Sequence, residues 1–522
     1  MLSHNSLKQR SSFRYTLWFI GGLLLLPLTG RAGDPHDALP LRAVIIGGGP
    51  NLENNQCAIE SNVRYVNRLL PIMIPRTTLF ADGNAENPTV LYDIDARNKP
   101  VGERLMKLIF KERDSSEINA TQYKKPNLGG RLDGATRTAD VKRTFSRLVE
   151  DSRTPSLSHL FFYFTGHGSS DRQSNENNVF DMWGNEVLTV RDLAKQIARL
   201  PINVPITLVM VQCHSGSFAN LIFEAGDPRN DAVDRDIVGY FATIKERVAA
   251  GCTSEVNEAE YRDFTSYFFA ALTGRDRVGR KVSGADYNRD GRVGMDEAYC
   301  YTLANDRSVD VPVCTSDIFL RHFMPTSDAE VFKTPFSKVV EWATPAQRYA
   351  LIALSRILKR EKSEDRLQKA YGDMVQHNYG DIEAYRDTEG AWKSLTRLRE
   401  SAKRKLQARY PGLSSEANSR AYERDYQRAA SAVAEEAKQG DWQELIQADD
   451  KFTASESNQE RQQSLESHII RFVRLGKSVI LAHQLRESEN QPLINRFERL
   501  VKAERASLLA PVAELPQEQI QN

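Results

Sequence analysis

A histidine and a cysteine each follow an apolar segment of the chain. His167 comes after the run HLFFYF at 159–164, and Cys213 comes after the run ITLVMV at 206–211. Both runs have the pattern of buried strands, and the helix-like stretch at 190–200 between them predicts that the strands are parallel. Since ligands collect at the carboxyl ends of parallel strands, which meet at one edge of a sheet, we expect His167 and Cys213 to lie close together there.

Such a pair is suited to nucleophilic catalysis. A thiol is mostly protonated at neutral pH, whereas the thiolate is the nucleophile. A nearby imidazole can accept that proton and later donate it to a leaving amine. Backbone N–H groups beside Cys213 and Gly168 are candidates to stabilise the developing oxyanion. Taken alone, His167 also fits a structural histidine in a tight turn, and Cys213 an inert buried thiol; together, with flanking glycines, they favour catalysis.

The composition of the chain changes near residue 330. From Leu41 to about Thr326, short β-rich runs alternate with amphipathic segments, which predicts an α/β fold with a mostly parallel sheet. After about Lys333, valines are sparse and apolar residues recur at helical spacing, which predicts a C-terminal all-α region. Its polar faces mix both signs of charge, as in a solvated helical bundle. We expect a first domain at 41–326, a helical domain at 333–510 and a loose tail at 511–522.

The histidine and cysteine motifs resemble those of the caspase-like cysteine peptidases, the group of caspases, metacaspases and legumain-type endopeptidases. YFTGHGS at 163–169 resembles the family's histidine motif, and CHSGS at 213–217 is similar to the Cys-His-Ser-Gly block of metacaspases. The two motifs lie 46 positions apart, compatible with the interval of roughly 50 in caspases. The segment FTSYFFAAL at 264–272 is similar to the helix that follows the substrate-pocket strand. The resemblance runs from Leu41 to about Ala304.

This resemblance implies a fold, an activity and residue roles. The fold is a three-layer α/β/α sandwich with a mostly parallel sheet, and the activity is hydrolysis of peptide bonds in a polypeptide substrate. By the resemblance, Cys213 is the nucleophile, His167 the general base and Gly168 an oxyanion donor.

The chain departs from the family pattern just before the nucleophile. Val211 and Gln212 precede Cys213, where caspases have Gln-Ala and metacaspases usually carry an acidic residue two positions before the cysteine. The residue preferred before the scissile bond is therefore left open. Acids are available near the expected pocket, though each also fits a solvated surface charge: Asp171, Glu255 and Glu258.

Residues 286–297 fit the calcium loop of an EF-hand. Gly291 allows the sharp turn of that loop, and Glu297 would close the site with two oxygens. The expected ligands of Ca²⁺ are the side chains of Asp286, Asn288, Asp290 and Glu297 and the carbonyl of Arg292. The segment at 278–285 is a poor helix, so we expect a lone calcium loop that stabilises or gates the enzyme; an Asx-rich turn without metal is the alternative.

The N-terminus has the pattern of a secretory signal. A basic stretch precedes an apolar run of about 13 residues at 16–28, and small residues at Gly30 and Ala32 suit cleavage after Ala32. The run is shorter than the ~20 residues of a membrane-spanning helix. We expect a signal peptide at 1–32, with an uncleaved anchor as the alternative, and no membrane span after its removal. The protein is therefore expected to be a bacterial-style exported member of the family, periplasmic or secreted.

Charge and cysteine content limit the other functions. The 522 residues include 70 Lys and Arg against 69 Asp and Glu, so no global basic field favours nucleic acid. Apart from Cys213, four cysteines are available for disulfides in an exported chain, with Cys300–Cys314 and Cys57–Cys252 as the suggested pairs and the connectivity open. The chain has no Cys-x-x-Cys, which disfavours a redox enzyme.

Two further hypotheses remain open. One is that the caspase-like half is a catalytically silent scaffold and the helical half binds a protein partner. The other is self-cleavage in the polar segment at 224–236, which resembles an exposed processing loop.

Overall fold

The strands of this chain follow the apolar runs seen in its sequence. A computed structural model describes residues 41–92, 100–110, 122–153, 157–254, 256–282, 284–376, 380–416, 419–438 and 440–506. The predicted signal peptide at 1–32 and the tail at 511–522 lie outside these residues. In chain order the strands are β1 (Leu41–Gly48), β2 (Arg76–Phe80), β3 (Val90–Tyr92), β4 (Gln122–Lys124), β5 (His159–Gly166), β6 (Gly168–Ser169), β7 (Val179–Met182), β8 (Glu186–Thr189), β9 (Ile206–Met210), β10 (Ile237–Phe241) and β11 (Val313–Cys314).

Six of these strands form the central sheet. Their order is β2-β1-β5-β9-β10-β11, and every neighbouring pair is parallel except β10 with β11. Two small antiparallel groups, β3-β4 and β6-β7-β8, lie outside this sheet. The prediction of an α/β fold with a mostly parallel sheet is confirmed.

Helices cover the sheet and continue to the C-terminal end of the described residues. In chain order they are α1 (Cys57–Leu69), α2 (Val101–Phe110), α3 (Thr138–Asp151), α4 (Val190–Ile197), α5 (Phe264–Thr273), α6 (Met295–Asn305), α7 (Thr315–Phe323), α8 (Asp328–Val331), α9 (Phe336–Trp342), α10 (Pro345–Ile357), α11 (Arg366–Gln376), α12 (Gly380–Arg409), α13 (Arg420–Glu436), α14 (Asp441–Arg486) and α15 (Gln491–Glu504). The predicted C-terminal helical region is thus present. No helix in the described ranges is long and apolar enough to cross a membrane.

The sheet has a hydrophobic cluster on each face, which explains why its strands are apolar throughout. In β5, Phe161 and Tyr163 pack with residues of α1 and α5. The alternating Phe162 and Phe164 pack with residues of α3, α4 and α7 on the other face. Because side chains alternate across a strand, a strand buried on both faces is a continuous apolar run. The sheet is therefore the middle of three layers, as expected.

Helix α14 packs both with the core beside the sheet and with the cluster of helices that lies apart from it. It is 46 residues long, which corresponds to about 70 Å. Its second half carries Ile469 and Phe472 into the same hydrophobic cluster as Phe319 of α7. Its first half places Leu445 in a separate cluster with α12 and α13. The described residues belong to one compact unit, and the predicted boundary between 326 and 333 stays a prediction.

Helix α2 packs away from the sheet although its sequence lies within the expected first domain. Leu105, Met106 and Ile109 are buried in the cluster formed by α12, α13 and the first half of α14. The approach is close, because a Cβ on Gly102 would overlap the Ala430 carbonyl oxygen. The helical region therefore includes one helix from the N-terminal half.

No disulfide joins any of the five cysteines, all of which lie in the described part of the chain, so the suggested disulfide pairs are wrong. Cys314 Sγ lies 3.2 Å from the Ser316 hydroxyl, while Cys57 Sγ lies 3.1 Å from the Ser254 carbonyl oxygen. Cys252 Sγ lies 3.8 Å from the Gly166 carbonyl oxygen. These three thiols thus have polar neighbours in place of a sulfur partner.

Candidate active site

His167 and Cys213 follow neighbouring strands at the same height of the sheet. Phe164 of β5 pairs with Met210 of β9 in parallel register. His167 and Cys213 each lie three residues beyond that pair. The Val211 amide continues the register by donating to the Phe164 carbonyl oxygen at 3.0 Å. The parallel pairing therefore brings both residues to the carboxyl edge of the sheet.

The two loops that carry these residues are in direct contact at Gly168. A Cβ on Gly168 would lie 2.5 Å from the Cys213 carbonyl oxygen, 2.6 Å from Cγ of Gln212 and 3.0 Å from the Val179 carbonyl oxygen. The first two distances are too short for a real Cβ, and the carbonyl oxygens of Cys213 and Val179 are backbone atoms that cannot move aside alone. Only glycine lets the histidine loop lie this close to the cysteine.

The His167 imidazole rests against a glutamine at the start of α1. Its Nε2 lies 3.0 Å from Gln56 Oε1. Burial lowers the pKa of His167, while the Asp181 carboxylate and a hydrogen bond to the Asn54 backbone oppose that shift. The imidazole is therefore neutral at pH 7, the form that accepts a proton. Sequence reasoning missed Gln56, because an amide side chain beside Cys57 carries no signature of catalysis.

The Cys213 thiol is partly buried and is held by the backbone that follows β10. The Ala249 amide donates to Cys213 Sγ at 3.3 Å, and the Ala249 carbonyl oxygen lies 3.8 Å from the same sulfur. Burial raises the pKa of Cys213, the Ala249 N–H opposes that shift, and the carboxylates of Asp310 and Asp181 add to it. The resting site is therefore a neutral thiol beside a neutral imidazole. No hydrogen bond joins these two described side chains.

Cys213 lies at the start of a strained turn. The next residue, His214, has φ of 59°, a left-handed conformation that is uncommon outside glycine. Its amide donates to the Arg247 carbonyl oxygen at 2.9 Å, and its Nδ1 lies 3.0 Å from the Lys245 carbonyl oxygen. The 3₁₀ helix Ser215–Ile222 begins directly afterwards. Backbone strain of this kind persists where surrounding contacts enforce it, as at functional sites.

The acids singled out in the sequence have other contacts. Asp171 accepts from the Gln173 amide at 3.0 Å, and Glu258 forms ion pairs with Arg64 and Arg68. Glu255 lies outside the described residues. Val211, two positions before the nucleophile, is buried and apolar.

A buried polar cluster lies below the histidine loop. Asn62 donates to Thr165 Oγ1 at 3.1 Å and to Asp263 at 3.2 Å, and Asp263 is paired with Arg277 at 3.4 Å. Every charge in this cluster thus has a partner, so the cluster does not identify a preferred substrate residue.

The predicted calcium loop is closed by hydrogen bonds of its own. The Asp286 carboxylate accepts from Gly291 N–H at 3.1 Å, and Gly291 has φ of 88°. The Glu297 carboxylate accepts from the amides of Tyr287, Asn288 and Gly294 at 2.8 to 2.9 Å. The turn and the contact between the two ends of the loop therefore match the template.

The donor set also has the chemistry that the template requires. Asp286, Asn288, Asp290 and Glu297 offer the hard oxygen ligands that Ca²⁺ takes. Among the described residues, no three His, Cys, Asp or Glu side chains gather closely enough to hold a metal. Calcium binding stays a prediction. Helix α6 begins at Met295, and residues 278–282 and 284–285 are not helical, as the poor helical pattern of 278–285 indicated.

Comparison with known proteins finds partial relatives. No family model matches the chain. Metacaspase-2 and metacaspase-3 of Trypanosoma brucei brucei are each 27% identical to it over 168 residues, which is 28% of this chain and 46% and 44% of theirs. The chain therefore matches less than half the length of these relatives. This partial similarity supports a caspase-like, metacaspase-type relationship.

Proposed function

We propose that this protein is a caspase-like cysteine endopeptidase in which Cys213 is the nucleophile and His167 the general base. The observation that carries the proposal is the shared register, which sets both residues three positions past the Phe164–Met210 pair. The contact of Gly168 with the Cys213 carbonyl supports it, since the two loops form one site.

The first half of the reaction forms a thioester. His167 accepts the Cys213 proton as Sγ attacks the carbonyl carbon of the scissile peptide bond. The carbonyl electron pair moves to oxygen, and the Gly168 N–H is the proposed donor to that oxyanion. When the pair returns, the C–N bond breaks and His167 gives its proton to the leaving amine.

The second half restores the enzyme. His167 takes a proton from water as the water oxygen attacks the thioester carbon. Collapse of this second tetrahedral intermediate breaks the C–S bond and releases a carboxylic acid, and the proton returns to the Cys213 sulfur. The lowered pKa of His167 and the raised pKa of Cys213 keep the free pair neutral, so proton transfer accompanies the attack of sulfur instead of preceding it.

The proposal extends to calcium, substrate and location. Asp286, Asn288, Asp290 and Glu297, with the Arg292 carbonyl, would hold Ca²⁺, whose charge would tie the loop to the start of α6 and stabilise the fold. The substrate is a polypeptide, the helical region is available to a protein partner, and the chain is exported after removal of residues 1–32. The basic and apolar pattern of the first 32 residues supports export.

Hydrolysis of a peptide library by the purified protein, with and without calcium, tests this function. We expect cleavage by the wild type and its loss in Cys213→Ala and His167→Ala. Lys338→Ala, at an exposed ion pair with Glu341 in α9, is the control and should cleave normally. A wild-type protein that cleaves no peptide under any condition would favour the silent scaffold instead.

A further inference from the structure

The backbone after β10 surrounds the nucleophile. Within this stretch, residues 243–250, which we call the support loop, Ala249 donates to Cys213 Sγ and the Arg247 and Lys245 carbonyls receive His214. The Asn178 amide group also donates to the Lys245 carbonyl oxygen at 3.0 Å. The position of the sulfur therefore depends on the position of the support loop.

Helix α14 contacts the support loop through an ion pair. Arg247 Nη1 lies 2.9 Å from a carboxylate oxygen of Glu466, and both side chains are about one-quarter exposed. The carbonyl of the same Arg247 accepts the His214 amide at 2.9 Å. One residue thus binds α14 through its side chain and the turn after Cys213 through its backbone.

A second connection runs through a buried aspartate. The Asp310 carboxylate accepts from the Ala250 amide at 2.7 Å and from the Phe264 amide at 3.2 Å. Asp310 is fully buried. It therefore fixes the end of the support loop next to Ala249, whose amide donates to the Cys213 sulfur.

Arg471 of α14 holds the segment that carries Asp310. Its guanidinium donates to the carbonyl of Asp310 at 2.7 Å, to that of Asp306, and to that of Ser308 at 3.1 Å. It also pairs with the Asp306 carboxylate at 3.3 Å, and neither side chain is exposed. Ser467, one turn earlier, donates to the Val309 carbonyl oxygen at 2.8 Å.

These hydrogen bonds of α14 fix its position more closely than hydrophobic packing alone would require. An apolar face alone would hold α14 on the core, and Phe472 and Ile469 already supply one. A fully buried guanidinium is favourable only where its donors are satisfied, so it fixes the geometry of the carbonyls around it. Those carbonyls belong to the segment that carries Asp310, whose carboxylate accepts a hydrogen bond from the support loop.

We propose that α14 positions the nucleophile, with Glu466 and Arg471 as positioning residues that act through Arg247 and Asp310. This inference rests on the proposed function. The helical region is then part of the catalytic apparatus, and displacement of α14 by a partner or by mutation lowers the reactivity of Cys213 without unfolding the sheet.

The Arg247–Glu466 pair gives the sharpest test because it is partly exposed. In full-length protein, Glu466→Gln and Arg247→Gln should each lower kcat about tenfold with KM unchanged, since small displacements of a reacting group are costly. The rate of Cys213 alkylation by iodoacetamide should fall in parallel. The charge-swapped double variant, Arg247→Glu with Glu466→Arg, should recover most of the loss. Glu498→Gln, which breaks an exposed pair with Arg486 near the end of α14, is the control and should behave as wild type.

Stability and exchange measurements separate positioning from unfolding. The melting temperature of Glu466→Gln should stay within about 3 °C of wild type, while the amides of Ala249 and Ala250 exchange faster. Arg471→Lys should retain more activity than Arg471→Met. If neither variant folds, the Glu466→Gln and charge-swapped variants test the positioning role. A reactive wild type whose Glu466→Gln variant and swap are equally active overturns the positioning role. A wild type with no Cys213 reactivity overturns the proposed function instead.

Discussion

His167 and Cys213 are aligned by one pair of residues in the sheet, because each lies three positions beyond the Phe164–Met210 pair of β5 and β9. In a parallel sheet this register is fixed by the side chains buried on both faces. Phe164 and Met210 belong to the same hydrophobic cluster, so the core that stabilises the fold also sets the relative height of the two candidate catalytic groups.

The contact at Gly168 predicts a strong effect of a single methyl group. Gly168→Ala places a Cβ against the carbonyl oxygens of Cys213 and Val179, at 2.5 and 3.0 Å. Relief of that overlap pushes the histidine loop away from the cysteine and should destabilise the fold by about 1–3 kcal/mol and reduce kcat/KM at least tenfold. Urea unfolding and peptide hydrolysis measure the two effects.

Gly372 in α11 is the matched control, because a Cβ placed there meets no atom of the described residues within 4 Å beyond the adjoining backbone of its own helix. Gly372→Ala should stabilise the protein by up to about 1 kcal/mol through helix propensity and leave kcat/KM unchanged. Equal activity of Gly168→Ala and Gly372→Ala would show that the two loops do not need to touch.

The pKa shifts predict a neutral resting pair. Burial raises the pKa of Cys213 above its ordinary value of 9.0 and lowers that of His167 below 6.5. The rate of Cys213 alkylation should therefore rise with a single inflection above pH 9. Activity should persist below pH 6.5, since His167 stays unprotonated and able to act as a base there. Iodoacetamide kinetics with mass spectrometry of the Cys213 peptide measure the inflection; one below pH 6 would indicate a thiolate–imidazolium pair and contradict this assignment.

Gln56 offers a way to shift the pKa of the proposed base. Its Oε1 lies 3.0 Å from His167 Nε2. Gln56→Glu places a carboxylate at that position, which stabilises the imidazolium and raises the His167 pKa by about 1 to 3 units. The acidic limb of the kcat/KM profile should move to higher pH by the same amount. Gln173→Glu, in the loop where the Gln173 backbone amide donates to Asp171, should leave the profile in place. An unmoved limb in Gln56→Glu would exclude His167 as the group that titrates there.

Calcium binding is testable by thermal stability. An ion that binds the folded state alone raises the free energy of unfolding, by about 2.7 kcal/mol at a hundredfold excess over Kd. The melting temperature of wild-type protein should therefore rise on addition of CaCl₂ and fall again with a chelator. Asp290→Ala removes one expected ligand and should abolish the rise. Asp276→Ala, outside the loop and paired with Arg280, should keep it. A wild type with no calcium response would leave the loop as an Asx-rich turn.

The sequence predicted the parts of the fold that local pattern controls. The apolar runs at 159–164 and 206–211 form β5 and β9, and the glycine-flanked motifs lie at their carboxyl ends. The change of composition after Lys333 predicted a C-terminal helical region, and helices α9 to α15 form it. The boundary itself stays a prediction.

Contacts between distant parts of the chain could not be predicted from the sequence. The packing of α2 with α12 and α13, and the bonds of Arg471 to residues 306–310, join segments separated by more than 150 positions. No local periodicity encodes such pairings. The disulfide suggestion failed for a related reason: counting cysteines says nothing about which atoms each thiol meets in space.

Cys213 is proposed to be a nucleophile whose thiol gives its proton to His167 in the same site. Incubation of the full-length protein with a peptidyl acyloxymethyl ketone, followed by mass spectrometry of the intact chain and its peptides, measures this directly. We expect one adduct per chain, on Cys213, which is lost in Cys213→Ala and strongly slowed in His167→Ala. Equal labelling of Cys252 and Cys213, or labelling unaffected by His167→Ala, would contradict it.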